Sequence, residues 1–481
     1  MSLILNQIIK NLSLNNFSTF FTSKAIIAYF SVLMICAWLF VPRFLPLIWI
    51  FFGMVAVFSF FFFGSILTKR WADIRQKKFQ KKIFITALII RVVYVVLIYF
   101  FYQSQTGKPF EFNALDSGGY HKTALWILEM FFDGTVYFYF SHYIQGISDA
   151  GWELTLAFIY LISFKSILMV RLVNSILSAW MVIMIYHIAQ RNFGEKAARI
   201  TAVLAMLLPS FIYYSGLHLK ETVMVFLLMA FIERADFLLH SRNFTLIHVI
   251  QVVILGVSLF FFRTVMAAAA WFALFSALFL SSDKIMSRYK RIVMIIWLII
   301  AFAFVLSGKI STEISGYLVE SKTNQQDRYE FFSSRKGANV MAKYGSAAIF
   351  IPIIIPAPFP TLVNIPNQQN QMMTNGDLFT RNVYVFFVFV AFFFLIKKKR
   401  LRKNLLLSVF LASYLLILAN SGFALSPRFH LPALPFFLIF AGYGITQTTR
   451  NISTYYVLYL VGISIIVVAW NWFKLAGRGL V

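Results

Sequence analysis

Between Glu111 and Ala124 the chain reads EFNALDSGGYHKTA, a polar and acidic stretch in otherwise apolar surroundings. Asp116, Tyr120 and Ala124 stand at i, i+4 and i+8, so a helix beginning near Ser117 places them on one face. Asp116 or Ser117 occupies the position of an N-cap for a helix over Gly119–Met130. Gly118 and Gly119 would let a ligand or a second backbone come close. Asp116 therefore has two readings, as a helix cap or as a working carboxylate at a membrane surface.

Other ionisable residues share that setting. His218, Lys220 and Glu221 lie in SGLHLKE, between two apolar runs, and Arg428 and His430 lie in SPRFHLP. Arg263 sits at a tight bend, and Arg171 and Asn174 are one turn apart in an apolar segment. Each has a plain reading: Lys220 as an interfacial anchor, Glu221 as an acid favoured at a helix N-terminus, Arg263 as a topology signal. Two prolines make the Arg428 segment a rigid setting for a mere anchor. Together the residues suit a single chemistry, in which cations hold the phosphate of a lipid-phosphate-linked substrate while a carboxylate activates an incoming hydroxyl. Asp116 and Glu221 are then the catalytic acids. Tyr120, His121, Arg171, His218, Lys220, Arg263, Arg428 and His430 form the substrate-binding set. His121 and His218 are not spaced as a metal pair on one helix, and Asp116 has no Asp-x-Asp partner. No cofactor is expected, and a divalent metal is left open without support.

These residues must be positioned by membrane helices. The chain is 60% hydrophobic and 12% charged, with mean hydropathy +0.79, which excludes an ordinary soluble domain. Its net charge of +26 falls in short basic runs between apolar segments, the pattern of cytoplasmic loops rather than of a nucleic-acid surface. Lys69–Lys82, Arg191–Arg199, Ser281–Arg291 and Lys397–Lys403 are placed inside on that ground. The single cysteine, Cys36, lies in the first apolar run, so no disulfide framework is expected, and that run is read as retained.

The expected fold is an all-α polytopic membrane protein of about thirteen transmembrane helices with interfacial helices in its outer loops. Residues 1–481 form a single integral membrane domain. A hairpin over Ala25–Val41 and Phe44–Leu67 is broken at Pro42–Arg43. A first outer loop spans residues 102–152 and contains Asp116. Glu153–Phe164 is too short to cross and is read as re-entrant or interfacial. Arg91, inside the span Ile83–Phe101, is expected to snorkel or to pair within the bundle. A large outer loop spans residues 308–379. Its proline-rich part, Ile351–Pro366, cannot be a regular helix and is read as a lid or interfacial cover. No strong internal repeat is evident, which weakens a transporter reading.

The order of several segments carries a resemblance. These are Asp116-x-x-x-Tyr120 with Ala124, Arg171-x-x-Asn174, Phe193-Gly194-x-x-Ala197-Ala198, Pro209-Ser210-x-x-x-Tyr214-Ser215 and Arg428-x-x-x-Pro432-x-x-Pro435. Together they resemble the C-type superfamily of membrane glycosyltransferases, in the branch of protein O-mannosyltransferases and lipid A aminoarabinose transferases. The likeness covers the first half well and the last part loosely, and Gly308–Asp377 matches nothing in it. It implies a polyprenyl- or dolichyl-phosphate sugar donor, inverting transfer of a hexosyl or pentosyl group, and Asp116 as the catalytic acid. The chain departs from the protein mannosyltransferases in following Asp116 with Ser117 and Gly118 rather than a second acid. The acceptor stays open among a glycan, a lipid and a protein. A bacterial inner membrane, with the site on its outer face, is the expected location. The nearest rival is an O-antigen-type polymerase or ligase, which would place its chemistry in Gly308–Asp377. A glycolipid flippase or transporter ranks behind it, because most ionisable residues sit near span ends.

Overall fold

The computed structural model describes residues 16–139, 147–241, 246–280, 355–419 and 426–480, with isolated positions 292, 295, 296 and 299. Thr19–Leu39 (α1) and Leu47–Arg70 (α2) form the first hairpin, separated by the short turn Val41–Arg43 that carries Pro42. Gln76–Thr106 (α3) has 31 residues and ends on Gly107, whose φ of 72° is left-handed and free of strain in glycine. Leu115–Phe132 (α4) packs against Ile147–Ser163 (α5). Ile167–Phe193 (α6) leads to a helix pair, Glu195–Leu207 (α7) and Pro209–Ser215 (α8), bent by 46°. Glu221–His240 (α9), Leu246–Phe260 (α10) and Thr264–Leu280 (α11) follow. Asn375–Lys397 (α12), Leu405–Ala419 (α13), Leu434–Thr446 (α14) and Arg450–Ala476 (α15) complete the described helices.

Among the described residues, eight helices are long and apolar enough to cross a membrane, or nine if the bent pair counts as one span. The expected count of about thirteen is not reached there, for identifiable reasons. The α10 and α11 helices stop at 15 and 17 residues. Glu233, Arg234 and Asp236 fall inside α9 rather than after it. The expected span Ile292–Leu306 and most of the loop 308–379 lie outside the described residues.

Burial sorts the helices. The span Pro427–Thr446, which contains α14, is 89% buried and α12 is 72% buried, whereas the span Ile452–Ala476 within α15 is 22% buried and α3 is 28% buried. The outer helices turn residues such as Trp38, Leu97 and Ile465 to the apolar medium that a bilayer supplies. The central helices touch through glycine: a Cβ on Gly444 would lie 1.9 Å from the Phe387 carbonyl oxygen. Only a residue without a side chain lets α14 and α12 approach that closely.

Arg91 does not snorkel. It is fully buried and donates to Ser178 Oγ at 2.7 Å and to the carbonyls of Met206 and Ala205 at 3.2 and 3.3 Å. Pro209 has no N–H to offer Ala205 one helical turn back, so the arginine covers carbonyls that the break between α7 and α8 leaves open. In the described part of the proline-rich segment, Ala357, Phe359, Leu362, Val363 and Ile365 are buried in the core. Asn382 donates to the Pro358 carbonyl at 3.1 Å, and Asn471 donates to that of Pro360 at 3.1 Å and accepts from Leu362 N at 2.7 Å. Backbone that cannot form a helix is thus satisfied by asparagines.

The turns sort into two ends of the bundle. Arg199 donates to the Trp71 and Ala72 carbonyls, Gln76 to Gln190, and Lys398 to Gln447, joining segments expected on the inside. Asn113 donates to the Asn367 carbonyl and Asn370 to that of Phe112, joining segments expected on the outside.

Candidate active site

At the second end, α4 begins one turn earlier than its sequence implied. Its N-cap is Ala114, which makes no side-chain cap, and Asp116 lies in the first turn. Asp116 is therefore not the capping residue. Its charge still lies among the free N–H groups of the helix start, where a carboxylate is favoured. The side chain is 54% exposed and accepts from Arg428 Nη1. Arg428 stands in the turn Pro427–His430, ahead of α14, and its Nε donates to Glu221 Oε1. Glu221 opens α9 and is fully buried, with Oε2 left unpartnered. One guanidinium thus joins two carboxylates that are far apart in sequence.

Tyr120 lies one turn beyond Asp116, and its hydroxyl donates to Asp149 Oδ1 at 3.1 Å. Asp149 also pairs with Lys220, whose Nζ donates to the Ser148 carbonyl at 3.0 Å. Burial lowers the amine pKa of Lys220, and the Asp149 carboxylate opposes that shift. Asp149 was not singled out from the sequence. Its signal was present, as an acid in an otherwise aromatic and glycine-punctuated loop.

His121 and His218 meet at one tyrosine hydroxyl. His121 Nδ1 lies 2.6 Å from the Tyr160 hydroxyl, which lies 3.1 Å from His218 Nε2. The Tyr160 and His218 rings stack with centroids 6.0 Å apart, and the Phe110 ring packs against both histidines. Burial, with the Arg171 charge nearby, holds the His218 imidazole well below its usual pKa, so it is neutral. His430 is buried and receives Arg381 Nη2 at 2.7 Å. Residues two apart on a helical turn face different ways, which separates His430 from Arg428.

Glu111, at the head of the stretch, is a second acid that the sequence pattern did not single out. It is 7% exposed, accepts from Ser117 Oγ at 2.5 Å, and has Oε2 unpartnered. Burial pushes its carboxyl pKa up. Arg171 is fully buried, donates to the Pro109 carbonyl, and leaves Nε and Nη1 unpartnered. Arg263 stacks over the Phe429 ring at 4.3 Å, with a buried Nη1 that has no partner. Among the described residues, no three His, Cys, Asp or Glu side chains come together as a metal site.

Beside these groups is a cavity of about 850 Å³ bordered by Lys108, Phe110, Glu111, His121 and Lys122. Gly118 and Gly119 line it, and a Cβ on either would meet no atom within 4 Å. The glycines therefore leave space rather than admit a neighbouring backbone. The arrangement offers an accessible carboxylate, a guanidinium shared between two acids, and buried guanidinium nitrogens without partners.

The chain matches no family model and no curated protein. Among solved structures it is similar to the archaeal oligosaccharyltransferase AglB from Archaeoglobus fulgidus, solved in complex with an inhibitory peptide and a dolichol-phosphate. The identity is 11% and the TM-score 0.40, over 84% of this chain and 56% of that one. The chain thus spans little more than half the length of that protein.

Proposed function

We propose that the protein is a membrane glycosyltransferase that moves a sugar from a polyprenyl-phosphate-linked donor to an acceptor hydroxyl, with inversion, on the non-cytoplasmic face. The observation that carries this reading is Arg428 held between Asp116 and Glu221 beside the cavity. Asp116 is the half-exposed member of that trio and takes the proton from the acceptor hydroxyl. The hydroxyl oxygen forms a bond to the anomeric carbon as the bond from that carbon to the phosphate oxygen breaks. The electron pair leaves with the polyprenyl phosphate, and a single displacement inverts the centre. Protonation of Asp116 weakens its hold on Arg428 while negative charge gathers on the leaving phosphate. The guanidinium is then free to meet that charge, together with the unpartnered Nη1 of Arg263.

The test is transfer from a radiolabelled polyprenyl-phosphate sugar pool in membranes, with thermal stability followed in detergent. Asp116→Asn should lower transfer by about a hundred- to ten-thousandfold, the usual worth of general-base assistance, with its melting midpoint unchanged. A folded Asp116→Asn protein transferring at the wild-type rate would overturn the assignment. Sidedness is tested with single cysteines at Leu115 and Lys78, both exposed, in a Cys36→Ser background. An impermeant thiol reagent should reach position 115 from outside and position 78 only after the inner face is opened. The reverse pattern would place the site in the cytoplasm.

A further inference from the structure

Among the buried polar atoms left without partners near the cavity, Glu111 Oε2, Arg171 Nε and Nη1, Asn174 Oδ1 and His218 Nδ1 belong to adjoining residues. Arg171 and Asn174 adjoin on one face of α6, and Asn174 Nδ2 reaches the Leu217 carbonyl, next to His218, at 3.4 Å. The Arg171 charge acts on both Glu111 and His218, and the ring of Phe110, beside Glu111, packs on His218 at 5.7 Å. Glu111 is 7% exposed and the other three are fully buried, and Glu111 also borders the cavity. Native proteins seldom leave such atoms unsatisfied, and a cluster of them that meets a cavity only through Glu111 needs an explanation.

The chemical types in the cluster restrict what satisfies it. Glu111 and Asn174 offer acceptors, Arg171 offers two donors, and neutral His218 offers a nitrogen that can take either role. A phosphodiester or a fully ionised phosphate supplies no donor for Glu111 and Asn174. An ammonium supplies no acceptor for Arg171. A hydroxyl gives and receives at once, and several hydroxyls on one ring meet all these atoms together.

The geometry points to a sugar-ring subsite in which Glu111, Arg171, Asn174 and His218 hold the hydroxyls of a saccharide reached through the cavity at Gly118 and Gly119. The inference rests on the transferase reading only in that the substrates of such an enzyme carry sugars. Donor sugar and acceptor glycan share this chemistry, and the experiment separates them.

The probes are methyl glycosides of common hexoses and pentoses, which carry no phosphate or lipid. Binding to the purified full chain in nanodiscs is read by saturation-transfer NMR. At least one glycoside should bind the wild type with a millimolar Kd. Glu111→Gln removes the charged acceptor at nearly constant shape and should weaken binding by roughly tenfold or more. Gly118→Phe directs a ring into open space and should abolish binding with the melting midpoint retained. It also keeps the test decisive if Glu111→Gln fails to fold. Failure of every glycoside to bind the wild type, or equal binding by the wild type and the folded variants, would overturn the subsite and leave buried water as the partner of these atoms. Preloading with the lipid-linked sugar should displace the glycoside if the subsite holds the donor, and spare it if the subsite holds the acceptor. Glycoside binding without transfer would end the transferase reading and keep the subsite. Transfer that depends on Asp116, with glycoside binding indifferent to Glu111→Gln, would do the opposite.

Discussion

Two arginines in this protein each hold a pair of carboxylates, at opposite ends of the bundle, and the two clusters are finished differently. At the end that carries the basic runs Arg191 Nε donates to Asp236 at 2.6 Å, and its Nη1 and Nη2 donate to the Glu233 carboxylate and carbonyl at 2.9 and 3.0 Å. The other oxygens of those carboxylates are also taken, Glu233 Oε2 by Arg234 at 3.1 Å and Asp236 Oδ1 by Asn192 at 2.8 Å. At the opposite end Arg428 holds Asp116 and Glu221, but Asp116 is half exposed and Glu221 Oε2 has no partner. Glu111, Arg171 and Arg263 nearby each keep a buried polar atom unpartnered. A closed network ties helices together and has no capacity left for a substrate. An open one retains donors and acceptors for something that arrives later.

The sharpest way to break this comparison is to make the same change in both clusters. Asp116→Asn should cost the hundred- to ten-thousandfold in transfer stated above and little stability. Asp236→Asn should do the reverse, removing one member of a largely buried ion pair. About 2–4 kcal/mol of stability should go, somewhat below the usual figure for a fully buried pair because Arg191 is partly exposed, with turnover per folded molecule unchanged. Equal effects on stability and transfer at the two sites would make both clusters structural.

The arginines give the next largest contrast. Arg428→Ala and Arg263→Ala should each lower transfer by roughly ten- to a hundredfold, the worth of one charge-assisted contact to the leaving phosphate. Wild-type transfer in both would leave them as packing and anchoring residues.

A pH titration sharpens the comparison further. The folded-state pKa of His218 lies below its unfolded value, so the stability linked to its neutral form is complete above about pH 6.5 and is lost as pH falls toward the folded value. Arg171 and His121 face it and push in the same direction. The melting midpoint of the wild type should fall between about pH 7.5 and pH 5, and His218→Gln should flatten that slope. An unchanged slope in the variant would mean that burial does not shift the His218 imidazole between the folded and unfolded states.

The smallest expected effect comes from two tyrosines. Tyr120→Phe removes one hydrogen bond to Asp149 and should lower transfer by about two- to tenfold. Tyr186→Phe removes a 2.6 Å bond to Glu195 at the Arg191 end of the bundle and should leave transfer untouched.

Much of the architecture was legible along the chain. Apolar length and basic runs place α1, α2, α3, α6, α12 and α15, and Pro209 marks the break between α7 and α8. The span count was less legible, because hydropathy does not fix how long an apolar helix runs, and α10 and α11 stop at 15 and 17 residues. The proline-rich segment read as a cover because prolines exclude a helix. That Asn382 and Asn471 would satisfy its carbonyls in the core depends on residues distant in sequence.

At the site, the sequence by itself determined which residues were candidates. A carboxylate in a polar stretch among apolar runs, or an arginine between prolines, is conspicuous because charge is costly near a membrane. Asp116, Glu221 and Arg428 were found on that ground. Only the tertiary structure decided which of them meet, since Arg428 reaches Asp116 across 312 positions and Glu221 across 207. It also decided which are charged. His218 looked like a cation in sequence, and burial against Phe110, Trp152 and Tyr160 makes it neutral. Glu111, inconspicuous in the sequence, gains its importance from an oxygen that no residue of the fold satisfies. The physical reason is common to all three. Residue type sets what a group can do, whereas partners, solvent and field are set by whatever else the fold brings within reach.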